Sequence, residues 1–100
     1  MNRELHGQQK RSAARAQRLF QRGLADHRAG RLLQAEAAYR QILTTDPAHA
    51  DAHHALGKAR WALGRPAEAE ASYREALRLR PNYPEAQLSI ALLRRNWDYV

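Results

Sequence analysis

Four residues near the middle of the chain have side chains and a spacing that could hold a metal ion. They are His49, Asp51, His53 and His54. His49 and His53 are four residues apart and would share one face of a helix. Zinc needs a third and a fourth ligand of fixed geometry, and the chain has no cysteine and no HExxH motif. Two convergent ligands are too few, so we expect no metal site and no cofactor.

The residues that could serve catalysis are sparse. With no cysteine in the chain, thiol nucleophiles and disulfides are excluded. The three serines lack the flanking glycines of a nucleophile elbow, and no glycine-rich phosphate loop is present. We therefore expect a protein that is not an enzyme.

A basic stripe lies near the N-terminus. It consists of four arginines at steps of four, three and four residues, namely Arg11, Arg15, Arg18 and Arg22. Residues 1–31 contain eight basic groups against two acidic ones, a balance of +6 out of a net charge of +7. Phosphates of nucleic acid or an anionic membrane could bind such a stripe. It carries no interleaved aromatic residues, so we expect a solvated end of the molecule or a contact with an acidic partner, with nucleic acid and membrane as alternatives.

The length and composition of the chain predict one small helical domain. A chain of 100 residues with 44% hydrophobic but only 7% aromatic residues would build its core mainly from alanine and leucine, which suits closely packed helices. No apolar run has the length of a signal peptide or a membrane span, so we expect a cytoplasmic protein.

Apolar residues recur at helical spacing, and no segment alternates with the period of a strand. Residues 1–11 lack an apolar face and predict a flexible basic tail. Ser12 would cap the first helix, and Asp46 with Pro47 would open the third. The five predicted helices cover about 12–29, 32–44, 46–63, 66–80 and 84–95. Gly30 and Gly64 would end helices in the left-handed conformation.

The second copy of a repeat follows the first at a spacing of 34 residues. Residues 16–49 (the first copy) align without a gap on residues 50–83 (the second copy), and 12 pairs are identical. Residues 84–100 begin a third. Short links make each helix pair an antiparallel hairpin, and stacked hairpins bury a continuous seam. We expect an all-α helix-hairpin solenoid over residues 12–100.

The second copy carries a known pattern. Its residues are Leu56, Gly57, Gly64, Ala69, Tyr73, Ala76 and Pro81. In these residues and in its period the chain resembles the tetratricopeptide repeat (TPR) family, of bacterial type, with about two and a half repeats. The resemblance implies a scaffold that binds peptides or partner domains. It also implies an alternative, since similar bacterial segments often precede a glycosyltransferase or sulfotransferase domain.

In this family the first helix of each pair lines the concave face. Carried over by register, the partner-binding residues would be Phe20, Leu24, His27, Arg28, Asp51, His54, Lys58, Trp61, Leu88, Leu92 and Arg95. Such a mixture suits a peptide with an apolar anchor and a negative charge. The carboxylate clamp of Lys and Asn that some members use is not matched, because Phe20, Leu24 and Ala55 occupy those places. The alternative for Trp61 is that it covers the seam between the copies.

The fifth predicted helix lacks the polar outer face of a terminal cap. Its apolar residues, which are Leu88, Ile90, Leu92, Leu93 and Trp97, are spread around the helix. We therefore expect self-association through residues 84–100, or a contact with another helix or partner.

Overall fold

The computed structural model describes the backbone of residues 2–97 and the side chains of residues 7 and 9–96. Five α-helices and no strand occupy these residues. The helices are α1 (Asn2–Arg28), α2 (Leu32–Thr45), α3 (Ala50–Ala62), α4 (Pro66–Leu79) and α5 (Pro84–Trp97). The prediction of an all-α chain of five helices is confirmed. Trp97 was among the apolar residues expected on α5, and its side chain lies outside the described residues.

Helix α1 begins earlier than predicted. It starts at Asn2, so Ser12 is an interior residue and residues 2–11 continue the helix instead of forming a tail. The types of these residues explain the difference. Glu, Leu, Gln, Lys and Arg all have good helix propensity, and extending an existing helix needs no apolar face. Although α1 has 27 residues, no helix in residues 2–97 is both long and apolar enough to cross a membrane.

The two glycine turns have the predicted geometry. Gly30 has φ +81° and Gly64 has φ +77°, so both lie in the left-handed region. At the end of α1 the Arg31 amide donates to the Asp26 carbonyl at 2.8 Å, and the Gly30 amide donates to that of His27 at 3.0 Å. The equivalent bonds form after α3. These paired bonds are a Schellman motif, which ends each helix and reverses the chain.

The start of α3 corrects a second expectation. Asp46 does not cap this helix but ends α2, where its amide donates to the Ile42 carbonyl. Pro47 and Ala48 form a turn, and His49 is the N-cap, since its Nδ1 accepts from the Ala52 amide at 3.0 Å. The helix therefore begins three residues later than a proline at its first position would require. An imidazole nitrogen here takes the place of the usual carboxylate or hydroxyl acceptor.

Each hairpin is closed by one tyrosine that packs on one glycine. A Cβ at Gly57 would lie 2.5 Å from Cε1 of Tyr73, and a Cβ at Gly23 would collide with the ring of Tyr39 in the same way. Both tyrosines are buried, and burial raises the pKa of each phenol to about 12. The glycine and tyrosine pairs that coincide in the two copies are thus places where the paired helices leave no room for a Cβ.

The core consists mainly of alanine, as expected, but tyrosine rather than leucine provides much of its bulk. Tyr39, Ile42 and Leu93 are the largest fully buried side chains. The two copies are also joined by a charged contact. Glu36 on α2 is 8% exposed and accepts hydrogen bonds from Arg60 and Arg65, each at 3.2 Å. The buried carboxylate is stabilised by these two partners.

Candidate functional site

The first helices of the hairpins, α1, α3 and α5, form a row in which α3 contacts both α1 and α5, while α2 and α4 pack behind them. Two cavities open on this face, and together they are here named the groove. The first cavity has a volume of about 190 Å³ and lies mainly between α1 and α3. The second has a volume of about 250 Å³ and lies mainly between α3 and α5. His27 and Lys58 line both, so the two cavities are adjacent.

The first cavity has an apolar side formed by Phe20 and Leu24 of α1. Phe20 packs against Tyr39, with ring centroids 5.7 Å apart, and stacks on His49 at 6.0 Å. Arg28 lies at the C-terminal end of the same helix and also lines the cavity. An apolar side chain of a ligand could therefore contact Phe20 and Leu24 while a negative charge approaches Arg28.

The second cavity is more open and more apolar. Trp61 is 38% exposed and Leu92 is 48% exposed, and both line it. Tyr73 and Leu93, both buried, lie at its base. Large exposed apolar groups beside one another on a small protein are typical of a surface that a partner covers.

A hydrogen-bonded chain forms the floor of the groove and fixes His54. Tyr83 donates its hydroxyl proton to Oδ1 of Asp51 at 2.6 Å. Nδ1 of His54 lies 3.3 Å from the same hydroxyl, and its Nε2 lies 2.8 Å from Oγ of Ser89. Because the single Tyr83 proton goes to Asp51, Nδ1–H of His54 donates to the Tyr83 oxygen, and Nε2 accepts from Ser89.

Electrostatics favour this neutral form of His54. Burial, and then the nearby charge of Lys58, lower the pKa of His54, although Asp51 and Glu85 act in the opposite direction. Burial opposes the charge of Asp51, but hydrogen bonds from Tyr83 and Arg80 outweigh it and hold the pKa of its carboxyl below the usual value. The guanidinium of Arg80 also lies 4.5 Å from the centre of the Tyr83 ring. The floor is therefore an ordered polar network in which the carboxylate of Asp51 is paired with the guanidinium of Arg80.

The order of groups in this chain is that of a nucleophile, a base and an acid, but its position does not suit acyl transfer. Ser89 lies inside α5, where the backbone N–H groups are used by the helix itself. An oxyanion would need free donors beside the attacking oxygen. The chain of hydrogen bonds instead links α3 to α5 and to the turn before α5.

Lys58 provides a cation in the middle of the groove. Lys58 is exposed and has no ion-pair partner among the described residues. His27 faces it across the groove, and burial together with the charge of Lys58 lowers the pKa of His27. Neutral His27 is therefore a potential hydrogen-bond partner rather than a second charge at neutral pH.

The structure brings together nine of the eleven residues predicted for partner binding. Those in the first cavity are Phe20, Leu24, His27, Arg28, Asp51, His54 and Lys58, and the second cavity adds Trp61 and Leu92. Leu88 and Arg95 are exposed on α5 but line neither cavity. Asp51 and His54 were predicted to contact a partner, and the structure engages both in hydrogen bonds of the groove floor.

Three tyrosines of the groove, Tyr39, Tyr73 and Tyr83, were not among the predicted residues. The repeat itself carried a signal for Tyr83. His49 in the first copy and Tyr83 in the second are 34 residues apart, and each packs on the residue that faces it, Phe20 and His54 respectively. Aromatic residues at both places of both copies indicate a ring contact at the start of the following helix.

The remaining sequence features lie outside the groove. The four arginines of the basic stripe, Arg11, Arg15, Arg18 and Arg22, are all exposed on α1. His49 caps α3, and Nε2–H of His53 donates to the Pro47 carbonyl at 2.9 Å. Within the part of the chain that the structure describes, no three His, Asp or Glu side chains converge as metal ligands would.

Stacked antiparallel helix hairpins with cavities along the row of first helices define a helical-repeat protein. The family described as "Tetratricopeptide repeat" matches residues 20–84, and the chain therefore belongs to the tetratricopeptide repeat family. Its fold is similar to a solved structure, "First TPR of Spaghetti (RPAP3) bound to HSP90 peptide SRMEEVD", with a TM-score of 0.76 and 25% identity. The match covers 80% of this chain and 64% of that chain. A comparison with curated proteins gave no match.

Proposed function

We propose that this protein is an interaction module that binds a peptide segment of a partner protein in the groove. The observation that carries the proposal is the position of Trp61. It is 38% exposed and, together with the exposed Leu92, lines a cavity of about 250 Å³ that shares His27 and Lys58 with the first cavity. Tryptophan is enriched among the residues that contribute most to binding, and a ligand would cover its exposed area.

The similarity to a peptide-bound TPR structure supports this proposal. That domain is described as bound to a peptide ending in acidic residues, and its fold extends over 80% of the present chain. The binding chemistry proposed here is different in kind from a clamp of Lys and Asn. Phe20 and Leu24 line the first cavity, so this end of the groove offers apolar contacts in their place.

The competing role for Trp61 is to cover the seam between α3 and α5. Measurements of peptide affinity and of the free energy of unfolding distinguish the two roles. Peptides that bind the immobilised protein are first selected from a displayed random library, and their dissociation constants are then measured for the wild-type protein and for Trp61→Ala. Loss of a central aromatic anchor should weaken binding by at least about tenfold.

The matched control is Leu33→Ala, because Leu33 is an exposed apolar residue, 59% accessible, on α2 and outside the groove. It should leave peptide affinity unchanged. If Trp61→Ala binds the selected peptides as well as the wild-type protein does, the groove is not the binding site. If it lowers the free energy of unfolding and nothing else, Trp61 covers the seam.

A second candidate function concerns the basic stripe of α1. The exposure of Arg11, Arg15, Arg18 and Arg22 leaves them available to an acidic partner, nucleic acid or an anionic membrane. Binding through phosphates would weaken steeply with salt. A titration of duplex DNA and of anionic vesicles at several salt concentrations tests this, and binding without a salt dependence would contradict it.

Self-association through α5 stays a prediction, and the exposure of two leucines on this helix supports it. Leu88 is 61% exposed and Leu92 is 48% exposed, one helical turn apart. Analytical ultracentrifugation at high concentration should show a dimer that Leu88→Ser weakens, and a sharp monomer would contradict the prediction. The cytoplasmic location, the bacterial origin and the attachment to a larger enzyme stay predictions from the resemblance and the composition.

A further inference from the structure

We propose that the groove selects peptides in which a carboxylate lies between two apolar side chains, about three residues from each. This inference rests on the proposed peptide-binding function and adds the pattern of the ligand. It follows from one row of residues that crosses the groove, from the charge in the middle of that row and from the spacing of the helices.

The row consists of Leu24, Lys58 and Leu92. These residues are separated by intervals of 34 positions, so they occupy equivalent places on α1, α3 and α5. Leu24 lines the first cavity, Leu92 lines the second, and Lys58 lines both. A peptide that crosses the three helices therefore meets an apolar surface, a cation and a second apolar surface in that order.

The charge of Lys58 is available to a ligand. Among the described residues no carboxylate lies within ion-pair distance of it, and the nearest acidic group on its own helix face, Asp51, is engaged by Tyr83 and Arg80. Arg28 adds a further exposed cation in the first cavity. The middle of the groove therefore carries a positive potential, which a carboxylate of the ligand would complement.

The polar groups around Lys58 act in the same direction. Neutral His27 lines both cavities and can donate one hydrogen bond to a carboxylate oxygen. The acidic residue Glu85 lies at the N-terminal end of α5, away from the C-terminal half of α3 where Lys58 lies. A carboxylate at the centre of the row thus meets these donors, while Asp51 and Glu85 lie toward the N-terminal ends of α3 and α5.

The helix spacing determines the distance between the ligand's anchors. Packed helices lie about 10 Å apart. A peptide in the polyproline II conformation advances about 3.1 Å per residue and has three residues per turn, so side chains three positions apart lie on the same face. One step from helix to helix therefore takes about three residues, which places an acidic residue three positions after one apolar anchor and three positions before the next.

The test uses fluorescein-labelled heptapeptides and fluorescence polarisation. One peptide has leucine at both ends, glutamate at the centre, and serine and glycine elsewhere, and the second has glutamine at the centre. A third keeps the composition of the first but moves the glutamate next to one leucine. The wild-type protein should bind the first peptide about fivefold more tightly than the second or third, as expected for a charge pair on a partly exposed surface.

The variant Lys58→Met isolates the cation. It should bind the glutamate and glutamine peptides equally, while Lys10→Met, which removes the only other lysine of the chain, should keep the fivefold preference. The preference should also shrink as salt is raised, because the contact is partly exposed.

Three results would overturn the inference. If the wild-type protein binds the glutamate and glutamine peptides equally, or if the preference for glutamate survives Lys58→Met, the groove does not select a central carboxylate through Lys58. If the shifted peptide binds as tightly as the first peptide, the inferred interval of three residues is wrong. In each case Trp61-dependent binding of library peptides still supports the proposed function. If neither the heptapeptides nor any library peptide binds in a Trp61-dependent way, both the inference and the proposed function fail.

Discussion

The two complete copies of the repeat are alike where their own helices pack and different where they line the groove. In the first copy Tyr39 packs on Gly23, and in the second Tyr73 packs on Gly57, with almost the same approach of ring to backbone. In the first copy Phe20, which lines the groove, only stacks on His49, which lies outside both cavities. The second copy has His54 and Tyr83 at these places instead.

The substituted pair changes the chemistry of the groove. His54 and Tyr83 keep the ring contact, with centroids 5.2 Å apart, and add hydrogen bonds to Asp51 and Ser89. A Cβ cannot be added at the glycines without displacing a buried ring, whereas the ring positions tolerate both apolar and polar aromatics. The repeat therefore restricts the contact between paired helices and leaves the groove free to vary.

The charged contacts of the two copies differ in reach. Asp26 in the first copy pairs with Arg31 at 2.8 Å within its own turn. The equivalent residue of the second copy, Arg60, reaches back to Glu36 of the first copy at 3.2 Å. The same repeat position thus forms an ion pair within its own turn in the first copy and an ion pair with the neighbouring copy in the second.

The largest effect should come from removing either packing tyrosine. We expect Tyr39→Ala and Tyr73→Ala each to lower the free energy of unfolding by about 3 kcal/mol, because a fully buried ring leaves a cavity over its glycine. Urea denaturation followed by circular dichroism measures this. The exposed Leu33→Ala should change it little. A loss at Tyr39 far below that at Tyr73 would show that the two hairpins are not equivalent packing units.

A smaller effect should separate the two charged contacts. Glu36→Ala should lower the free energy of unfolding by about 1.5 kcal/mol, since a buried carboxylate with two arginine partners is lost. Asp26→Ala should cost less, about 1 kcal/mol, because the carboxylate of Asp26 is equally buried but has a single ion-pair partner, the mostly exposed Arg31. Glu68→Ala, which removes an exposed partner of Arg65, is the control. If Glu36→Ala and Asp26→Ala lower the free energy of unfolding equally, the Glu36 ion pairs between the copies contribute no more than the pair within one turn.

The smallest effect concerns the pH dependence of the second copy. The folded-state pKa of His54 is lowered, so the unfolded chain binds the proton more readily, and acid favours unfolding. The free energy of unfolding should be at its full value above about pH 6.5, the pKa of an unfolded histidine, and should fall as the pH decreases below it. The variant His54→Phe, which copies the residue type of Phe20, should flatten this dependence.

The measurement is urea unfolding of both proteins from about pH 7 to about pH 5. This window lies above the range in which Asp51 loses its charge, since the pKa of its carboxyl is lowered. His27 also has a lowered pKa and remains in both proteins, so the variant keeps part of the slope. Identical slopes for the two proteins would show that His54 is not held neutral by the fold.

The fold was largely predictable because its determinants are local. Gly30 and Gly64 end helices through their own conformational freedom, and the apolar spacing between them specifies helices regardless of their neighbours. The two incorrect helix starts have a local cause as well. Ser12 and Asp46 are residues with good capping side chains, but residues 2–11 had enough helix propensity to continue α1, and the imidazole of His49 was an unexpected acceptor.

The sequence predicted which residues lie along the groove but not which residues they contact. The register of 34 residues placed Phe20, Trp61 and Leu92 on one row of helices, and the structure gathers them around two cavities. Sequence reasoning gave no partner to His54, because the hydroxyls it contacts belong to residues 29 and 35 positions away.

Residue types and their period were thus enough to specify the hairpins, since turns, helix propensity and the glycine under each tyrosine act over short stretches of chain. Only the tertiary structure decided that Lys58 lines both cavities with no acidic partner among the described residues, and that Asp51 is already engaged by Tyr83. The physical reason is that these contacts depend on the distance and rotation between stacked helices. A repeat period does not specify either quantity.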